Sequence, residues 1–176
     1  MYVTPPGTKR NPVKQWNLSE RVFFACGACH ILATAFLERY PDAGFAPIWI
    51  RPHRGFTGSH IVVVKDNVAF DYHGYSRWPV LLDHIRRRAN QRWPGWDAEV
   101  FPLPPAVLVS EIRSRYYNRL WLREPTQYLH DALPRARRYL DRFPPPSPLR
   151  PQSPVCVTLH PATGRIRPIH SRRHPA

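Results

Sequence analysis

The chain has 176 residues, 43% of them hydrophobic, which is enough for one globular domain with a buried core. Its three cysteines are too few for a disulfide framework, and their odd number also argues against one, so we expect a reducing compartment. The N-terminal residues lack the apolar core of a secretory signal, and no stretch reaches the roughly 18 apolar residues of a membrane span. These observations predict a cytoplasmic protein with no membrane partner.

The formal net charge of +14 raises the question of nucleic-acid binding. Residues 15–142 hold 18 of the 26 Lys and Arg but all 12 Asp and Glu, so more than half of the excess lies in the two terminal segments. This distribution favours a generally basic surface. At most, it predicts weak and nonspecific binding to nucleic acid.

Composition divides the chain into three parts. Residues 1–14 are rich in Pro, Gly and Lys and are predicted to be a flexible N-terminal arm. Residues 15–142 are predicted to form the domain. Residues 143–176 contain nine prolines and few apolar residues, which indicates a disordered Pro- and Arg-rich tail. One apolar stretch in this tail, 155–159, is a candidate edge strand.

Within the domain, apolar residues at helical spacing after Gly27 predict a helix over about 29–40. Two runs rich in β-branched residues flank a turn at 65–67 and predict a β-hairpin. The order of the elements predicts an α+β fold, with the first helix packed on an antiparallel sheet and helices near the C-terminus. The other elements are strands at 47–51, 60–64, 68–72 and 98–103, a helix from Pro79, and helices over about 110–121 and 126–142, the last interrupted at Pro134.

Cys29 stands at the predicted start of the first helix. Unpaired N–H groups and the helix dipole favour a thiolate there, as a nucleophile needs, although a small buried apolar role is an open alternative. His60 opens the first hairpin strand and Asp71 lies near the end of the second, so their side chains are predicted to come within about 5 Å of each other. The three residues therefore form a candidate Cys–His–Asp triad.

The segment Cys26-Gly27-Ala28-Cys29 resembles the C-G-[SA]-C element of papain-like peptidases, in which the second cysteine is the nucleophile. The order of Cys29, His60 and Asp71 is similar to that in the small cores of papain-like and transglutaminase-like cysteine hydrolases. The resemblance implies that Cys29 attacks, His60 acts as the base and Asp71 orients it. It also implies acyl transfer from a peptide or protein amide, with no cofactor. The gap of 31 residues between Cys29 and His60 suits the transglutaminase-like branch.

Support for the site is predicted from polar residues outside the triad. Papain-like enzymes place a glutamine several residues before the nucleophile, but the sixth residue before Cys29 is Phe23. Gln15 or Asn17 is therefore the candidate for stabilising an oxyanion, with backbone N–H groups as the alternative. His73 follows Asp71 by two positions and is a candidate to join the site.

Two other functions are open. Cys26 and Cys29 form a C-x-x-C motif after the strand-like residues 22–24, which is how a thioredoxin-like thiol–disulfide oxidoreductase is built. Alternatively, the protein is a catalytically inactive basic binding module that uses its Arg-rich segments 86–92 and 135–142. No second pair of ligands at metal spacing accompanies the two cysteines, so no metal site is predicted.

Overall fold

The structure is a computed structural model that describes residues 2, 4–117 and 120–146. It confirms the α+β class. A five-stranded antiparallel sheet has the strand order β4-β3-β2-β1-β5. The strands are β1 (Ala46–Pro52), β2 (His60–Lys65), β3 (Val68–Asp71), β4 (Gly74–Arg77) and β5 (Ala98–Pro102). The α-helices in the described part of the chain are α1 (Pro12–Trp16), α2 (Glu20–Ala25), α3 (Cys29–Arg39), α4 (Trp78–Arg92), α5 (Glu111–Ser114) and α6 (Ala132–Leu140).

Strand β2 lies at the centre of the sheet and is buried on both faces. Its Ile61 and Val63 belong to the larger hydrophobic cluster, which includes α3 and α6, whereas Val62 belongs to a smaller cluster with α4. Alternate residues of a strand point to opposite faces. Helix α3 therefore covers one face of the sheet, and α4 covers the other.

Helix α3 is a core helix. Every residue from His30 to Phe36 is buried, because the helix lies between the sheet and α6. It begins directly after Gly27, whose φ of 114° is left-handed and favours glycine. This turn between α2 and α3 fixes Cys29 as the first residue of a rigid, buried element.

The C-terminal helices differ from the prediction over 110–121 and 126–142. Helix α5 is only four residues long, because the chain turns back and the Leu122 N–H donates to Ser114 Oγ at 3.0 Å. Helix α6 begins at Ala132, where Asp131 caps it by accepting from the Leu133 N–H. Pro134 therefore sits in the first turn, where its missing N–H breaks no helical hydrogen bond, and the predicted interruption is wrong.

The N-terminal segment predicted to be a flexible arm contains defined structure. A 3₁₀ turn spans Thr8–Arg10, and helix α1 begins at Pro12. The Arg123 guanidinium donates to the Lys9 carbonyl oxygen at 2.6 Å and ties this segment to the domain. At the other end, Phe143 packs on Phe70 with ring centroids 5.2 Å apart. The candidate strand at 155–159 lies outside the described residues.

Three further observations bear on the predictions. The strand-like residues 22–24 lie in helix α2, so the strand that should precede a thioredoxin-like motif is a helix. Strand β4, which pairs with β3, was not predicted. In the described part of the chain, no helix combines the length and apolar character that crossing a bilayer requires.

Candidate active site

The three residues of the candidate triad lie at the ends of elements that pack together. Cys29 is the first residue of α3, His60 the first of β2 and Asp71 the last of β3. The β2–β3 register pairs Val63 with Phe70, so Asp71 is diagonal to His60 rather than directly opposite. Diagonal neighbours are within reach of long side chains.

Asp71 holds the His60 ring by a direct hydrogen bond. His60 Nε2 lies 3.0 Å from Asp71 Oδ2, and both side chains are buried. Burial alone would raise the pKa of Asp71, but hydrogen bonds from His60 and His73 hold that pKa below its usual range. Asp71 is therefore an anion, and its Oδ2 accepts a hydrogen bond from the Nε2–H of His60. The other ring nitrogen, Nδ1, is left for proton exchange with another group.

Cys29 interacts with His60 and is electrostatically activated. Burial would raise the pKa of the Cys29 thiol, but hydrogen bonding and charge from His30 and His60 lower it well below its usual value. Burial would likewise lower the pKa of His60, yet Asp71 and Cys29 raise it. The two pKa shifts are consistent with each other, because a thiolate stabilises a neighbouring imidazolium and an imidazolium stabilises a neighbouring thiolate. Both shifts favour a pair of thiolate and imidazolium over a neutral thiol and imidazole.

His30 is a member of the site that sequence reasoning missed. Its position next to Cys29 suggests a different direction on the helix, but its side chain interacts with that of Cys29. Its Nε2 lies 2.9 Å from the Arg123 carbonyl oxygen. Because a carbonyl only accepts, Nε2 carries a proton, and the His30 ring is held in a fixed orientation beside the nucleophile.

Gln15 lies next to the turn that precedes Cys29. Its side chain is buried, and its Oε1 accepts from Arg123 Nη1 at 2.6 Å. With the oxygen so engaged, the amide nitrogen faces Gly27: a Cβ at that glycine would lie 3.3 Å from Gln15 Nε2. Gln15 thus presents an N–H donor to the turn two residues before Cys29, which keeps it a candidate donor to an oxyanion.

The other predicted support residues occupy different places. Asn17 caps the C-terminal end of α1 and is exposed, and no described contact joins it to the triad. His73 contacts Asp71 twice, donating its backbone N–H to Oδ1 at 2.8 Å and placing its Nδ1 3.3 Å from the same oxygen. His73 therefore supports the carboxylate and not the nucleophile.

Two residues of the C-terminal half hold the turn before Cys29 in place. Tyr128 donates its hydroxyl to the Gly27 carbonyl oxygen at 2.7 Å. The Arg123 guanidinium lies 5.7 Å from the centre of the Tyr128 ring and donates to Gln15. No motif marks either residue in the sequence, since both act on partners about a hundred residues away.

Cys26 differs from Cys29 in the direction in which its pKa is shifted. It is almost fully buried at the end of α2, and burial raises the pKa of its thiol. Both cysteines are free, and Cys26 Sγ lies 3.7 Å from the Tyr2 carbonyl oxygen. The acidic thiol is therefore the second cysteine of the motif.

A cleft of about 760 Å³ opens at His60. The N-terminal segment, including Tyr2 and Lys9, forms one wall. Strand β1, the loop after it and the end of α4 contribute the aromatic side chains of Trp49, Phe56 and Trp93. Its size suits a short stretch of peptide or a similar organic group.

Among the described residues, no group of three or more His, Cys, Asp or Glu side chains is arranged to hold a metal ion. The chemistry available at the site is that of a thiolate, a histidine pair and a carboxylate. Comparison with protein-family models, curated proteins and solved structures found no match for this chain. Its function is therefore inferred from the geometry of the site.

Proposed function

We propose that this protein is a cysteine hydrolase or acyltransferase with a papain-like or transglutaminase-like core, acting on peptide or protein amides. One observation carries the proposal: His60 binds the Asp71 carboxylate through Nε2 and also interacts with a Cys29 thiol of lowered pKa. A buried histidine between a carboxylate and an activated thiol is the arrangement that nucleophilic acyl transfer requires.

The first half of the reaction forms a thioester. Cys29 Sγ attacks the acyl carbon of the substrate, and the carbonyl oxygen becomes an oxyanion. The backbone N–H of Cys29, which starts α3, and the Gln15 amide, which faces the preceding turn, are the candidate donors to that charge. The His60 imidazolium then gives its proton to the leaving amine as the C–N bond breaks.

The second half releases the acyl group. Water, or an amine in a transfer reaction, gives a proton to His60 as its oxygen or nitrogen attacks the thioester. The C–S bond breaks, the Cys29 thiolate leaves, and His60 is again an imidazolium. Asp71 remains anionic throughout and keeps the His60 ring in place.

Three features of the fold support a papain-like or transglutaminase-like core. The nucleophile begins a buried helix, that helix packs on an antiparallel sheet, and the histidine and carboxylate come from adjacent strands of that sheet. The opposite reactivity of the cysteines argues against the redox alternative, because Cys26 has the raised pKa. The observed antiparallel sheet also follows a helix where a thioredoxin-like fold needs a strand.

The test is the pH dependence of iodoacetamide alkylation at each cysteine, read by mass spectrometry. We expect Cys29 to react at a pH well below 8 in the parent and in Cys26→Ser. In His60→Ala its apparent pKa should move up towards about 8.5, the ordinary value. His53→Ala, which changes a more exposed histidine, is the matched control. A low apparent pKa at Cys26, or an apparent pKa of Cys29 that is unchanged in His60→Ala, would refute the proposal.

A further inference from the structure

The cleft beside His60 has a one-sided charge. Its lining includes the cations Lys9, Arg10 and Arg51 but no aspartate or glutamate. Arg51 is compensated, because it forms an ion pair with Glu99 and lies 4.1 Å from the centre of the Phe101 ring. The uncompensated charge of the cleft thus comes from Lys9 and Arg10.

Neither of these two cations has a carboxylate partner among the described residues. Carboxylates pair with arginines elsewhere on the surface, including Asp141 with Arg39 and Glu38 with Arg137, whereas no carboxylate side chain of the described residues lines the cleft. An unpaired cation that lines a cleft favours an anionic ligand, because the low-dielectric walls focus its field.

The position of Lys9 is set by the fold. The Lys9 backbone is held by Arg123, and its side chain runs along the turn before Cys29: a Cβ at Gly27 would lie 3.8 Å from Lys9 Cδ. Lys9 is thereby directed to the turn that ends at the nucleophile, two residues before Cys29. Lys9 lines the same cleft as Cys26 and His60, so a group bound to it lies in the cleft that opens at His60.

The rest of the lining is largely aromatic. Trp49, Phe56 and Trp93 form the wall that faces the N-terminal segment, and Tyr72 lies with its ring 5.3 Å from that of His60. These side chains provide an apolar surface for the main part of a ligand, while Lys9 and Arg10 are placed to bind an anionic group at one end of it.

We infer that the cleft selects acidic peptide substrates, in which an aromatic or aliphatic residue precedes the scissile amide and an anionic residue stands beside it. Lys9 and Arg10 bind the anionic group, and the aromatic wall takes the apolar side chain. The inference rests on the proposed function, since it names the substrate class of the same site.

The test measures binding, so that it does not depend on turnover. The Cys29→Ala protein is titrated with N-acetyl-glutamyl-phenylalanine amide and with the neutral isostere N-acetyl-glutaminyl-phenylalanine amide, using the fluorescence of the cleft tryptophans. We expect the acidic peptide to bind about five- to tenfold more tightly at low salt, and this preference to fall as salt rises. A phosphoseryl peptide distinguishes phosphate from carboxylate as the preferred anion.

Charge-removing variants assign the preference to the two cations. In Lys9→Gln with Arg10→Gln the ratio of the two dissociation constants should fall to about one, whereas Lys14→Gln, which removes a nearby charge outside the cleft lining, should keep it. Equal binding of both peptides, or a preference that survives the double substitution, overturns the inference. The alkylation experiment reports separately on the triad, so the two proposals fail independently.

Discussion

Replacing Asp71 by asparagine tests whether the carboxylate sets the state of the catalytic pair. The substitution keeps the shape of the side chain but puts an amide N–H₂ or a neutral oxygen where Oδ2 accepts from His60 at 3.0 Å. Two donors facing each other are repulsive, so His60 is expected to move its proton to Nδ1, the nitrogen it needs free as a base. Cys29 then loses its imidazolium partner.

The magnitude follows from the bonds that are lost. Asp71 is buried and accepts charge-assisted hydrogen bonds from His60 and His73, each of which contributes about 1.5–3 kcal/mol. Asparagine keeps part of the His73 contact, so the free energy of unfolding should fall by about 2–4 kcal/mol. The rate constant of acyl transfer should fall by about 10⁴-fold, as is typical when the wrong tautomer is fixed.

Two assays check this expectation. Thermal unfolding should show a melting temperature lowered by about 6–14 °C. The apparent pKa of Cys29 in alkylation should rise to about 8.5. Asp97→Asn is the matched control, since Asp97 is exposed and its ion pair with Arg86 spans 3.4 Å. If folded Asp71→Asn protein kept an acidic Cys29, Asp71 would not set the state of His60.

Gln15→Glu keeps the acceptor for Arg123 but removes the amide donor, so kcat should fall by about 10²–10³-fold with little change in KM, measured on an activated ester. Gly27→Ala should lower the free energy of unfolding by about 1–2 kcal/mol in urea, more than Gly55→Ala, because both have positive φ but only Gly27 has a close neighbour. For stability against pH, the folded pKa of His60 is raised and that of Cys29 is lowered. Folded and unfolded chains then bind equal numbers of protons at these two groups between about pH 6.5 and 8.5, where their contribution is flat. Their contribution to the free energy of unfolding decreases as the pH falls below about 6.5, because the unfolded chain then binds more protons than the folded chain. It also decreases as the pH rises above about 8.5, because the unfolded chain then binds fewer protons than the folded chain. In Cys29→Ala, which lacks the thiol, the decrease in stability with rising pH should begin near pH 6.5 instead of 8.5. If denaturant titrations gave the same dependence of stability on pH for this variant and the parent, Cys29 and His60 would not form an ion pair.

Local pattern was sufficient for much of the fold. The β-branched run at 60–64 predicts β2, and the helical spacing after Gly27 predicts α3, each within one residue of its observed bounds. The predicted hairpin of β2 and β3 also brings His60 and Asp71 together, as the structure shows. Each of these features depends on residues close together in sequence. When a strand or helix is buried, its apolar residues recur in the sequence at strand or helical spacing, so the pattern predicts the element.

The misses have a common physical origin. Strand β4 is a short edge strand of Gly, Tyr, Ser and Arg whose burial follows no alternating pattern, and it pairs only because the chain turns at Gly74. Helix α5 ends early because Ser114 Oγ accepts from Leu122, a contact that propensity does not register. In both cases, tertiary contacts override the local preference.

Arg123 shows why the site extends beyond the stretch that resembles a known family. Its guanidinium donates to Gln15 and to the Lys9 carbonyl, and its own carbonyl fixes His30, so one residue orients the oxyanion donor, the cleft wall and the neighbour of the nucleophile. The resemblance ends before residue 90, and the C-terminal half supplies no member of the triad. That half nevertheless holds the turn before Cys29 and the ring of His30 in place.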